Sequence, residues 1–276
     1  MKRSFDLKMF FNKICRKIYY FLIFIAEKIL KVLNKISSKK QCNICQNAFY
    51  SFIPYRWEKR SNFINKLNII DSDNWNFECP FCGANDRTRH IFLYFDKMNF
   101  WKVFSQKRVL HIAPEFQLYL KLKGLNLKEY IVGDINPQRY NKIQDVRKTD
   151  LTKLDFPDNY FDVIIANHVL EHIPNFTLAI DEIYRTLKAE GFALIQIPYS
   201  SLLYNSFEDP NINTEELRLK YYGEKDHFRV FGLDFFDILQ KKGFKLDVHN
   251  HSDYISPDET VRFGVNPREN LNLVRK

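Results

Sequence analysis

Four of the five cysteines in this 276-residue chain stand in two close pairs, Cys42-Asn-Ile-Cys45 and Cys79-Pro-Phe-Cys82-Gly83. Each pair folds as a knuckle whose backbone amides face the thiolates, and two knuckles complete a tetrahedral zinc shell with no open position. Gly83 permits the turn that closes the second one. Such a shell stabilises a fold and does no chemistry itself; the competing possibility is four buried or redox-active thiols. A second set of polar residues sits behind apolar runs. Asn167 and His168 follow Phe161–Ala166, Asp134 follows Tyr130–Gly133, and Asp150 follows a third short run. A carboxylate at a strand tip can accept from sugar hydroxyls, and a loop imidazole can take a proton from an acceptor group. His227, in Asp226-His227-Phe228-Arg229, and Tyr199 are further candidates for that proton transfer.

The elements that must position these groups alternate. A helix over Ile91 to Phe104 leads to a strand at Arg108 to Ala113 and a helix from Phe116 to Lys123. Strands follow at Tyr130 to Gly133, near Ile143 to Val146 and at Phe161 to Ala166, the last a β-branched run suited to burial on both faces. A helix through Leu170 to Pro174, another at Thr177 to Leu187, and a strand at Phe192 to Pro198 continue the rhythm. A helix at Leu233 to Lys242 and strands near Phe244 to Val248 and Val261 to Val265 close it. Alternation at this spacing implies an α/β fold with a doubly wound, mostly parallel sheet. Residues 199–226 break the pattern and form a candidate lid.

Charge divides the chain. Residues 1–40 hold 11 Lys and Arg against Asp6 and Glu27, and the remaining residues balance at 31 basic and 31 acidic. A neutral body makes nucleic acid an improbable partner, because duplex binding needs cations spread over a face. The arm, without Gly or Pro from 5 to 36, reads as a basic amphipathic helix for a membrane surface, or for packing on the protein or a second copy. Its strongest apolar run, Ile18 to Ala26, is well short of the roughly 20 residues that span a bilayer. Paired cysteines that suit a metal, and no small-residue cleavage site, point to the cytoplasm, with peripheral attachment to the membrane through the arm. The expected organisation is an arm at 1–40, a zinc-ribbon-like module at 41–90 and a sheet domain at 91–276.

Three blocks together resemble class I S-adenosylmethionine-dependent methyltransferases of the type 11 branch: Phe156-Pro157-Asp158-Asn159-Tyr160-Phe161-Asp162, His168-Val169-Leu170-Glu171-His172, and Glu182-Ile183-Tyr184-Arg185-Thr186-Leu187 with Gly191. The resemblance covers about 105–250 and implies a Rossmann-like sheet of seven strands. It implies that Asp134 holds the ribose, that Ile135 lies on the adenine, and that Asp150 and the Leu151 amide take the adenine edge. Asn167 and His168 then border the methionine end. The first strand departs from the family, since Ala113 and Glu115 in His111-Ile112-Ala113-Pro114-Glu115 stand where glycines are expected. His111, Ala113 and Glu115 would then line the methionine portion, with Glu115 reaching the amino group.

The activity implied is in-line methyl transfer to a small molecule or surface-glycan precursor, with His168 as the first candidate base and His227 and Tyr199 behind it. Rival readings are an RNA or protein methyltransferase with the zinc module as reader, and a non-catalytic scaffold with a degenerate cofactor pocket. Oligomeric state is left open by the sequence.

Overall fold

The computed structural model describes residues 39–55 and 61–276. The arm helix, Cys15 and Trp57 lie outside them. In chain order the elements begin with a short hairpin, β1 (Lys40–Gln41) and β2 (Ala48–Phe49), then α1 (Asn62–Lys66), β3 (Ile69–Ile70) and α2 (Asp86–Lys97). Next come β4 (Arg108–Ile112), α3 (Phe116–Lys123), β5 (Glu129–Asp134), β6 (Arg147–Lys148) and β7 (Phe161–Ala166). After α4 (Phe176–Thr186) the chain runs through β8 (Leu187–Leu194), β9 (Tyr199–Ser200), α5 (Glu215–Tyr222) and α6 (Asp234–Lys242). It ends with β10 (Lys245–His249), α7 (His251–Tyr254), α8 (Pro257–Phe263) and β11 (Leu271–Arg275).

Seven strands form one sheet in the order β10-β11-β8-β7-β4-β5-β6. The pairs β4·β5, β4·β7, β5·β6 and β7·β8 are parallel, while β11 runs antiparallel to both its neighbours. This is a Rossmann-like, mostly parallel sheet. The chain leaves β4 for β5 on one side and returns to β7 on the other, so the strand order reverses between β4 and β7. Open α/β sheets bind ligands at the carboxyl edge of that reversal.

The β-branched runs are explained by burial on both faces. Leu110, Ile112, Ile164 and Ala166 join the core under α4 and α6, while Val109, Val163 and Ile165 join the opposite core with Phe95, Phe104 and Leu118. Both sets are 3% exposed or less, and each such side chain contributes about 1.5–3 kcal/mol.

Several boundaries differ from the sequence reading. The strand expected at Val261 to Val265 is instead α8, because Ser256 and Glu259 form a capping box with Pro257 in the first turn, and the last strand is β11. The third strand sits at Arg147–Lys148, not Ile143 to Val146, whose apolar side chains pack with Tyr119 and Val132. Leu170 to His172 is a single 3₁₀ turn. Asn99, at φ +52°, separates α2 from a 3₁₀ turn at Phe100–Phe104. β8 starts at Leu187 and stops at Leu194, its irregular start marked by Glu190 at φ +65°.

The cysteine region is tied to the sheet domain. Arg89, fully buried, donates to the carbonyls of Phe77 and Ala84 on one side and of Phe263 and Gly264 on the other. Its guanidinium lies 3.9 Å above the Phe52 ring. Part of the 199–226 stretch also belongs to this junction: β9 pairs with β3, and Phe207, Ile212 and Tyr222 pack with Phe63, Ile64 and Leu67.

Candidate active site

At the β4 end, Ala113 adopts φ +50°, the left-handed conformation that a glycine takes most readily, and its amide donates to the Gly133 carbonyl at 2.9 Å. His111 is fully buried, with Nδ1 2.8 Å from the Tyr130 hydroxyl and Nε2 2.8 Å from Glu115 Oε2. Glu115 opens α3, and its other oxygen accepts from Asn167 Nδ2 at 3.2 Å. Burial opposes its ionisation, yet the bond and charge of His111, with help from Asn167, hold the carboxyl below its usual range. The sequence reading sends Glu115 toward a ligand's amino group; here its carboxylate bonds His111 and Asn167.

Asp134 at the tip of β5 is 3% exposed. Oδ1 accepts from the Asn136 amide at 2.8 Å, Oδ2 accepts from the Tyr140 hydroxyl at 2.7 Å, and Arg139 Nε lies 3.4 Å away. Asp150 stands at the neighbouring tip, exposed, and bonds the amide and hydroxyl of Thr152 through Oδ1 at 2.9 and 2.7 Å. The tips come together because residue 133 has no side chain: a Cβ there would meet Thr149 Oγ1 at 2.4 Å. Leu151 is buried beneath the edge, whereas Ile135 holds its side chain 60% in solvent.

The other half of the edge, beyond β7 and β8, is more crowded with charge. His168 is held at φ +52° by a 2.7 Å bond from its amide to the Gln196 carbonyl. Its ring faces three carboxylates: Glu171 Oε1 at 3.4 Å and Asp71 Oδ1 at 3.9 Å from Nδ1, and Glu269 Oε1 at 3.9 Å from Nε2. The two 3.9 Å separations are too long for hydrogen bonds, Glu171 at 3.4 Å is at the outer limit, and neither ring nitrogen has a well-formed partner among the described residues. Burial works against the charge of Glu171 and Glu269, but the imidazoles beside them, His168 for Glu171 and His90 for Glu269, hold both below the usual carboxylate range. From Glu269 a chain of rings runs outward: His90 Nδ1 at 3.5 Å, His90 Nε2 to His251 Nδ1 at 2.8 Å, and His251 Nε2 to Thr260 Oγ1 at 2.7 Å. Burial, then the charge of His90, pushes His251 down to about 4.

Tyr199 and His227 do not join His168 in one hydrogen-bonded set. Tyr199 lies on β9 against Phe236, its hydroxyl pushed up by burial and by the Glu269 charge. His227 is 8% exposed and stacks edge-on to His172 at 4.7 Å. Arg229 is a brace: its guanidinium bonds the carbonyls of Leu170, Ile173 and Pro174 and the Glu208 carboxylate. Sequence reasoning missed Asp71, Gln196, Glu269 and His251, which lie outside the recognised blocks and reach the edge only through tertiary folding.

The four cysteines converge. Cys42 Sγ and Cys82 Sγ are 3.7 Å apart, as are Cys45 Sγ and Cys79 Sγ. A tetrahedron with metal–sulfur bonds of about 2.3 Å has edges of about 3.8 Å, so the donor set fits a zinc ion.

Residues 110–195 match the family model described as a methyltransferase domain. The matched segment is 86 of the 276 residues (110 to 195). It runs from within β4 to the end of β8, and so includes the whole switch-point edge. The chain is 27% identical over 141 residues to the sterol 24-C-methyltransferase ERG6B of Gibberella zeae, a match covering 49% of this chain and 36% of that enzyme. The chain thus spans about a third of that relative's length. Among solved structures, an S-adenosylmethionine-dependent methyltransferase from Mesorhizobium loti superposes with a TM-score of 0.46 at 12% identity, covering 65% of this chain and 97% of the other. One from Archaeoglobus fulgidus gives 0.45 at 18% identity, covering 69% and 96%. Among the described residues, no helix is long and apolar enough to cross a membrane.

Proposed function

We propose that the protein is an S-adenosylmethionine-dependent methyltransferase acting on a small molecule or surface-glycan precursor. The observation that carries it is the meeting of three strand tips at the switch point, with Ala113 in a glycine-like turn and Asp134 and Asp150 side by side next to the solvent-held Ile135. In this reading Asp134 takes the ribose hydroxyls, Ile135 covers the adenine, Asp150 and the Leu151 amide take its edge, and His111, Ala113, Glu115 and Asn167 border the methionine portion. Bound there, the cofactor supplies a methyl group already activated by its sulfonium. The work of the protein is alignment of donor and acceptor. His168, whose ring nitrogens lack a close partner, is placed to receive an acceptor proton, with His227 and Tyr199 as the other candidates. Zinc in the four-thiolate shell fixes the module that delivers Asp71, Arg87 and His90 to the acceptor side.

The charge-neutral body outside the arm favours an uncharged or small acceptor over RNA, and a curated relative is by name a sterol methyltransferase. A membrane-surface role for residues 1–40 completes the proposal; flotation with liposomes that is equal with and without the arm would remove it. A second reading, a scaffold with a closed pocket, draws on Tyr140 and Asn136, which already occupy both Asp134 oxygens. Calorimetric titration of the purified protein with S-adenosylmethionine decides: saturable binding supports the transferase, and its absence supports the scaffold.

A further inference from the structure

We propose that Glu171, His172 and His227 form a divalent-metal site on the acceptor side, separate from the four-thiolate shell. One ligand atom from each lies within 4.8 Å of the others. Metal–ligand bonds of about 2.1 Å set such atoms about 3 Å or slightly more apart, a contraction that side-chain rotation supplies. Glu171 and His172 are adjacent on the 3₁₀ turn after β7, and His227 comes from the far end of the 199–226 stretch. Two fastenings hold the segments in register: the Phe228 amide donates to the Glu171 carbonyl at 2.9 Å, and Arg229 bonds the carbonyls that flank the turn. The site is therefore assembled by the fold before any ion arrives.

An independent observation points to a ligand. Glu171 is 1% exposed, and its Oε2 has no hydrogen-bond partner among the described residues. A buried carboxylate oxygen left this way is costly, and a cation satisfies it. The surroundings resemble those of metal centres. Asp226 Oδ2 lies 3.1 Å from His172 Nδ1, which leaves Nε2 for an ion and fixes the ring, as carboxylates do behind metal-ligating histidines. On its open side His227 lines a small cleft with Asp71, Pro198 and Arg229, with room for about one water molecule. Of the three ligands His227 borders this cleft, and a three-ligand set leaves coordination positions for water or substrate. One carboxylate with two imidazoles suits a first-row ion such as Mn²⁺, Fe²⁺ or Zn²⁺ rather than Ca²⁺, which prefers oxygen alone.

This deepens the transferase reading and rests on it for its role. An acceptor hydroxyl that binds the ion ionises more readily. Its O–H bond would break with the proton passing to His168, leaving His227 to the ion, while its oxygen bonds the methyl carbon as the methyl–sulfur bond breaks and a neutral thioether leaves. The ion is unchanged.

The test is a Mn²⁺ titration of the full-length protein as purified, read by loss of the free-ion signal in electron paramagnetic resonance. The hard Mn²⁺ ion does not compete for thiolates. The expected result is one Mn²⁺ bound per chain, weakened at least tenfold in Glu171→Gln and His227→Ala and roughly tenfold in the more exposed Asp226→Asn. No binding by the wild-type chain, or equal binding by all folded variants, overturns the site. Asp226→Asn keeps the question decidable if the buried substitutions fail to fold. S-adenosylmethionine titration of the same proteins separates the two readings: variants that lose Mn²⁺ yet bind the cofactor are expected, whereas a wild type that binds Mn²⁺ but no cofactor defeats only the transferase.

Discussion

On the β4–β5 side of the sheet edge, Asp134 takes its donors from Asn136, Arg139 and Tyr140, none more than six residues away, and Glu115 is held by His111 four residues before it. On the β7–β8 side, His168 faces Asp71, Glu171 and Glu269, which come from the cysteine region, the adjoining turn and the loop before the last strand. The first side is built locally and its hydrogen bonds are closed. The second is assembled from distant segments and keeps polar atoms without partners. A common cofactor needs the same contacts in every protein that uses it, which local sequence can encode. In the proposed reading the second side receives the acceptor, whose shape and charge the cysteine region supplies by folding against the sheet.

The most forceful way to break that contrast is to remove the metal from the four-thiolate shell. Structural zinc contributes on the order of 10 kcal/mol to small modules, so stripping it with a strong chelator should collapse residues 39–85 and displace Asp71, Arg87 and His90. Turnover should fall at least a hundredfold, while S-adenosylmethionine affinity changes by less than about threefold, a factor worth under 1 kcal/mol. Equal loss of both would show the two sides to be one unit. Metal analysis that finds no zinc in protein prepared without chelator would remove the premise.

A pH series tests how the cysteine region is joined to the sheet, where Asp86 accepts from the Asp73 amide. Asp86, at the start of α2, is fully buried, and burial pushes it up to about 7. The folded state thus binds a proton that the unfolded chain releases near pH 4. Stability from this group is complete below about pH 4 and is lost as pH rises through about 7, a change of at most roughly 4 kcal/mol. Asp86→Asn should flatten the stability profile between pH 5 and pH 8, as measured by urea denaturation at each pH. Parallel profiles for wild type and variant would refute the assignment.

On the cofactor side the matching change is Asp134→Ala. Loss of a charged acceptor for two hydroxyls should cost about 3 kcal/mol, or roughly a hundredfold in S-adenosylmethionine affinity, with Mn²⁺ binding untouched. Calorimetry that finds the affinity unchanged would place the ribose elsewhere.

The same contrast explains what the sequence revealed. β4, α3, β5 and β7 were legible because apolar runs buried on both faces leave few alternatives, and the tips Asp134, Asn167 and His168 follow directly from where those runs end. The four cysteines were legible from spacing alone. The final strand was misplaced because the apolar residues Val261 and Phe263 outweighed the Ser256-Pro257-x-Glu259 signal that starts α8. Tyr140, which caps Asp134, and Glu269, which faces His168, had no local signature; their roles depend on a loop conformation and on a contact across 101 residues of chain.

The finest test lies at Ala113. A non-glycine residue at φ +50° carries a conformational cost of about 1 kcal/mol, and glycine recovers it while adding roughly 0.5–1 kcal/mol of unfolded-state entropy. Ala113 also packs its methyl against the core under α4, so Ala113→Gly gives up part of that contact. These terms nearly cancel, and stability should shift by no more than about 0.5 kcal/mol in denaturant unfolding. Binding has no such cancellation. If the turn cradles the methionine portion, removing a Cβ from it should tighten S-adenosylmethionine severalfold, whereas a turn whose only task is to connect β4 to α3 would leave affinity as it was. Because the stability terms offset each other, a gain in affinity at this position would report the approach of a ligand and not a better fold.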